Sequence, residues 1–170
     1  LFRSGEPGVP KLQDYVKQKL SEGGKLGFDG RVMGAFRAEK LIEAAGEKGA
    51  ETLVTEDLAG RIWADRPGIP DTRLYVLDLC YAGEDTKSRL SRVRAEMEKA
   101  GADVHVLASL CDIAWLLNIR GGDIPCVPVV LSFLCMTKTA CTWYVRERIV
   151  TEEIRQYLKE YGIQIRDYEA

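Results

Sequence analysis

The sequence predicts an α/β fold in which helices flank a mixed β-sheet. Three observations carry this expectation. Strand-like and helix-like periodicities alternate along most of the 170 residues. Two late strand-like runs, Val127–Met136 and Cys141–Arg146, are joined only by residues 137–140, as in an antiparallel hairpin. No internal repeat, low-complexity tract or linker interrupts residues 10–160.

The elements follow in order. Leu12, Tyr15, Val16 and Leu20 recur at helical spacing after Pro10, and Gly23-Gly24 stops that helix. Lys25–Asp29 reads as a strand. Val32–Lys48 is rich in helix formers and ends at Gly49, and Glu51–Thr55 supplies a second strand. Asp57–Trp63 reads as a short helix, residues 66–70 as a loop, and Leu74–Leu79 as strand-like. Asp85 caps a long helix with Leu90, Val93, Met97 and Ala100 on one face, closed by Gly101. Val104–Leu107 is the next strand. Ser109 with Asp112 fits a capping box before Ile113–Leu117, which is apolar on all sides and therefore buried. In the hairpin, Cys141, Trp143 and Val145 alternate with Thr142, Tyr144 and Arg146, giving one apolar face. Thr151 caps a last helix carrying Ile154, Tyr157, Leu158 and Tyr161. Gly162 ends it, and Gln164–Tyr168 adds an edge strand.

Composition narrows the function. Hydrophobic residues make up 46% and charged residues 29%, a globular balance. The net charge of -2 carries no electrostatic footprint for nucleic acid or an anionic membrane. No apolar run approaches the ~20 residues that span a bilayer. The start has no signal-peptide pattern and no Met, and reads as a cut inside a longer protein or a processed end. The five cysteines are odd in number and form no CxxC pair, which suits reduced thiols in a cytoplasmic protein.

The chemistry-bearing residues are sparse. His105 is the single histidine, which excludes metal sites built on two or more histidines. The acids are scattered, so no metal ligands and no catalytic residues are assigned. A cysteine acting with His105 remains an alternative, although the motif context of such a pair is missing. Gly23-Gly24-Lys25-Leu26-Gly27 lacks P-loop spacing and reads as a helix stop. The most informative segment is Ile113–Pro125, where a buried helix runs into a polar loop. Asn118 caps the last turn, Arg120 and Asp123 are placed to pair, and Gly121-Gly122 permits a sharp turn or a close backbone approach. Such a loop either closes on itself through that pair or faces a partner or ligand.

The run IAWLLNIRGGDIP, Ile113–Pro125, followed by Pro128-Val129, resembles the middle domain of three-domain Xaa-Pro aminopeptidases of the creatinase/prolidase-like family. Phe2–Pro10 is similar to that family's passage between its first two domains, and Leu26-Gly27-Phe28-Asp29 to its VGVD strand. Leu58–Pro70, with Ile62-Trp63 and Arg66-Pro67, is similar to its NLVDxIWxxRPxxP segment, and Tyr81-Ala82-Gly83 precedes the long helix as in the family. Cys111, Ala59-Gly60, Gly122 and Cys126 depart from the usual residues.

The resemblance implies a creatinase N-terminal-like α/β domain with a ribonuclease H-like motif over residues 10–168, and residues 1–9 as the tail of a preceding domain. It implies a parent hydrolase, a metallopeptidase that removes an N-terminal residue preceding proline. Two divalent metals, usually manganese, sit in a separate pita-bread catalytic domain that this chain lacks. The chain alone is then expected to be inactive, helping to shape the opening for short proline-containing peptides. Its expected partners are its own flanking domains and, since family members often dimerise, a second copy. Asn118, Arg120 and Asp123 become candidates for the substrate side or a domain interface. The alternative is a stand-alone interaction or ligand-binding module on the same fold.

Overall fold

The computed structural model describes residues 3, 5–55 and 57–170. Of the family-like stretch Phe2–Pro10, Phe2 and Ser4 lie outside the described residues. The chain forms two compact units that divide between Pro67 and Gly68. Each is described by itself.

The first unit contains helix α1 (Leu12–Lys19), strand β1 (Lys25–Asp29), helix α2 (Ala35–Gly46), strand β2 (Glu51–Thr55) and helix α3 (Leu58–Ile62). β1 and β2 pair in parallel from Lys25↔Glu51 to Asp29↔Thr55, with α2 as the crossover. Leu41, Ala44 and Ala45 form the buried stripe of α2. The helix begins three residues later than the composition suggests, because Gly34 occupies its extended N-cap. Asp57 caps α3 by accepting from the Gly60 N–H at 2.9 Å and also takes the Arg66 guanidinium.

The second unit carries the larger sheet. Strand β3 (Tyr75–Val76) leads through helix α4 (Leu79–Ala82) into helix α5 (Thr86–Lys99). The strand-like run Leu74–Leu79 is thus cut short, because Asp78 accepts from the Cys80 N–H at 2.9 Å and starts α4. Asp85 caps α5 through the Ser88 N–H at 2.7 Å. Strand β4 (Val104–Leu107), helix α6 (Leu110–Leu117) and strand β5 (Ile119–Arg120) follow. The Ser109 side chain makes no capping hydrogen bond, so the expected capping box does not form. The hairpin is strands β6 (Phe133–Thr137) and β7 (Cys141–Tyr144), and helix α7 (Glu152–Glu160) delivers strand β8 (Ile163–Arg166). β6 starts later than the apolar run from Val127 predicts. The Val127 and Val129 N–H groups bond locally to Ile124 and Val127 carbonyls, outside the sheet ladder.

The main sheet has the order β4-β6-β7-β8, with β7–β8 parallel and the other pairs antiparallel. It is the mixed sheet expected from the sequence. Leu107, Leu134, Met136, Cys141, Trp143 and Ile163 face the core, where Leu90, Met97, Ile113, Leu116, Leu117, Ile154 and Leu158 from α5, α6 and α7 cover them. The apolar-all-round α6 is buried at Ile113, Ala114, Leu116 and Leu117. Trp143 is fully buried at the centre of this layer. Trp143→Ala is expected to destabilise the second unit by ~3–5 kcal/mol, whereas Val104→Ala, on the exposed face, stays within about 0.5 kcal/mol. Denaturant unfolding followed by far-ultraviolet circular dichroism checks both.

Candidate functional site

The segment that leaves α6 is built on left-handed backbone at Asn118, which has φ 54°. Asparagine tolerates this region better than most residues. The Asn118 side chain is buried and bonds inward. Its Oδ1 accepts from the Arg89 guanidinium, and its Nδ2 donates to the Glu84 carbonyl at 3.1 Å. Arg89, 3% exposed, also donates to the carbonyls of Trp115 and, at 2.6 Å, Ala82. Its guanidinium lies 4.9 Å from the centre of the Trp115 ring. A cation thus closes the carbonyl end of α6, where the helix dipole favours positive charge.

Asp123 does not pair with Arg120, as their proximity suggests. It is the centre of a different cluster. Its fully buried carboxylate accepts from the Thr72 hydroxyl at 2.5 Å, the Leu131 N–H at 2.8 Å and Arg146 Nη2 at 2.7 Å. Thr72 in turn accepts from the Gly122 N–H at 3.0 Å. Arg146 is 4% exposed and also donates to the Pro70 carbonyl at 2.5 Å and to Asp71 at 3.3 Å. Alternation along the hairpin places Arg146 on the polar face. The structure buries it, because β7 ends at Tyr144 and the backbone has left the pleat by residue 146. Burial, the largest influence, pushes the Asp123 carboxyl upward, but the Thr72, Arg146 and Leu131 donors together outweigh it and hold the group below the usual carboxylate value.

Gly121 supplies the close approach expected of the glycine pair. A Cβ there would stand 3.2 Å from Leu74 Cδ2, the Val129 carbonyl oxygen and Val130 Cβ. At Gly122 the nearest atom is 3.6 Å away, an ordinary contact.

Arg120 is the least buried of the three candidate side chains. It pairs with Tyr75 across β5–β3 and is half-buried. Its Nη1 donates to the Ala114 carbonyl and, at 3.1 Å, to the Ile119 carbonyl. Nε and Nη2 have no protein partner among the described residues. Burial is the main cause that lowers its pKa from the ordinary guanidinium value; Tyr75 opposes this and the nearby Arg89 adds to it.

The structure thus brings Asn118, Arg120 and Asp123 onto one short segment but gives them different partners. Thr72, Arg89 and Arg146 complete the bracing and were not distinguishable by motif. Arg146 had one visible sign, the charge that ends the hairpin run Cys141–Arg146.

Other candidate groups do not assemble. His105 is exposed on β4, and its cross-strand partner Met136 is followed by Cys141 on β7. That puts two strand spacings, roughly 9–10 Å, between His105 and Cys141. Burial pushes the Cys141 thiol up to about 11, and the Asp78 hydrogen bond raises that of Cys80. Neither is the lowered thiol that a nucleophile needs. No group of three His, Cys, Asp or Glu side chains among the described residues is arranged to hold a metal ion. No helix among them is long and apolar enough to cross a membrane.

Residues 65–170 match the model of the creatinase/prolidase N-terminal domain. This chain belongs to that family. All of it aligns with aminopeptidase P2 of Arabidopsis thaliana at 36% identity, covering 24% of that protein. A probable Xaa-Pro aminopeptidase P of Botryotinia fuckeliana is 34% identical over 99% of the chain and 26% of its own length. The chain spans about a quarter of the length of these curated relatives. Among solved structures it is similar to the X-prolyl aminopeptidase of Caenorhabditis elegans, with a TM-score of 0.89, 25% identity, and coverage of 98% of this chain and 27% of that one. That protein is described as a cytosolic enzyme with a di-nuclear active site. Among the described residues, no gathering of His, Cys, Asp and Glu side chains fits such a site.

Asp123→Ala or Arg146→Ala leaves the other charge buried without its partner, and each is expected to cost ~3–5 kcal/mol in denaturant unfolding. The depressed Asp123 carboxyl stabilises the fold fully above the unfolded value of about 4, and that contribution is lost as pH falls through the lower folded value. Below about pH 4 the Tm of the parent should therefore fall more steeply than that of Asp123→Asn, measured by calorimetry. Gly121→Ala is expected to cost ~1–3 kcal/mol, with Gly122→Ala within about 0.5 kcal/mol in the same assay.

Proposed function

We propose that this chain is a non-catalytic part of a metal-dependent Xaa-Pro aminopeptidase, which removes an N-terminal residue preceding proline. In this reading the chain supplies part of the wall of the substrate opening. The catalytic metals, two divalent ions with manganese as the expected identity, are held by residues outside this chain. The cytosol is the expected compartment, supported by the description of the worm enzyme. A homodimer remains part of the proposal.

One observation carries the assignment of the wall to this segment. Arg120 presents unspent N–H groups from a base braced on both sides by buried polar clusters. A half-desolvated guanidinium held rigidly is suited to a carboxylate, with two parallel hydrogen bonds and little loss of side-chain freedom. The carboxylate belongs either to the peptide substrate or to a facing domain. Asn118 and Asp123 act through the backbone, as positioning residues for Arg120. Fixing a substrate group in this way lowers the entropic barrier of a reaction performed by other residues.

The test is Arg120→Ala in the polypeptide encoded by the complete reading frame, assayed on Xaa-Pro peptides. A lost charge-assisted hydrogen bond of ~1.5–3 kcal/mol corresponds to roughly a 10- to 100-fold fall in kcat/KM. Arg120→Lys should recover part of it, and the Tm of both variants should stay close to the parent's. An unchanged kcat/KM, or Xaa-Pro cleavage by the purified 170-residue chain alone, contradicts the proposal.

A further inference from the structure

The main sheet of the second unit has one covered face and one open face, and the open face is apolar on its β4–β6 side. By register and alternation it presents Val104 and Val106 from β4, Phe133, Cys135 and Thr137 from β6, Thr142 and Tyr144 from β7, and Gln164 and Arg166 from β8. Val104 is 55% exposed, Val106 66% and Phe133 42%. Its charged strand position is Arg166, on β8. A sheet face that stays solvated in the finished molecule carries polar residues at alternate positions. Contiguous apolar surface on a folded unit marks a place where something docks.

We infer that this face is covered by an amphipathic helix of the same polypeptide. Two observations choose that occupant. Tyr168, just beyond β8, is already stacked on Phe133, with ring centroids 5.4 Å apart and planes 26° from parallel. The polypeptide therefore lays an aromatic ring on this face within two residues of the last strand. The relatives also carry about three-quarters of their length outside the region matched here, ample material for a second helical layer. The inference rests on the chain being part of a longer polypeptide, as the proposed function does, but it concerns a different surface and needs no catalytic role for Arg120.

Cys135 is a built-in reporter, because it stands at the middle of the face opposite Val106. The experiment alkylates the 170-residue chain and the product of the complete reading frame under identical native conditions, with each thiol followed by peptide mass mapping. Cys135 should react at least tenfold more slowly in the longer product. Val106→Asp should restore its reactivity there and lower the Tm there, while leaving the Tm of the 170-residue chain unchanged. Equal Cys135 reactivity in the two proteins, or a reading frame with no further segment, overturns the inference. So does protection of Cys135 in the 170-residue chain that rises with concentration alongside a dimeric mass, which assigns the face to a second copy. Xaa-Pro cleavage with Cys135 still reactive sinks this inference and spares the function. Protection without cleavage does the reverse.

Discussion

The arrangement around the candidate segment depends on one buried ion pair, Asp123 with Arg146. It joins residues far apart in sequence, and it draws in Pro70, Asp71 and Thr72 from the start of the second unit. Two charges taken out of water are costly unless every lone pair and proton nearby is used. Asp123 meets that demand with three donors, and Arg146 partly meets it with three acceptors, its Nη1 being buried without a partner. The pair thus acts less as a source of net stability than as a device that selects one loop conformation.

The Arg89 cluster does the corresponding work at the other end of the segment. It satisfies carbonyls at the end of α6 and holds the left-handed Asn118 by its side chain. Between the two clusters, Gly121 lets the backbone press against Leu74, Val129 and Val130 without the bulk of a Cβ. Arg120 is the half-buried cation of the segment, and its Nε and Nη2 make no protein hydrogen bond among the described residues. A half-buried guanidinium on a rigid base is suited to binding a carboxylate, the role proposed for it.

Much of this was legible in the sequence, and the particular residues show why. The caps at Asp85 and Thr151, the buried α6 and the 137–140 hairpin depend on local rules, and the structure contains each of them. The close approach at Gly121 was one of the two uses the glycine pair allowed, the other being a sharp turn. The partners of Asp123 and Asn118 were not. Arg146 lies 23 residues from Asp123, and Arg89 lies 29 from Asn118. Nearness in sequence pointed to Arg120 for Asp123, but β5 pairs with β3 and turns that guanidinium back to the carbonyls of α6. Tertiary topology decides such pairings, and no periodicity encodes them. The division at Pro67 was equally hidden, because the composition there is that of an ordinary loop.

The hydrogen bonds around Asp123 make this polar loop as rigid as the core beside it. Native-state hydrogen exchange tests this most directly, through the amides of Gly122, Asp123 and Leu131, which donate to Thr72, Val129 and Asp123. These amides are expected to exchange only on the global opening of the second unit, together with Trp143 in the central strand. Exchange at the rate of an unstructured peptide, while the Trp143 amide stays protected, would contradict it.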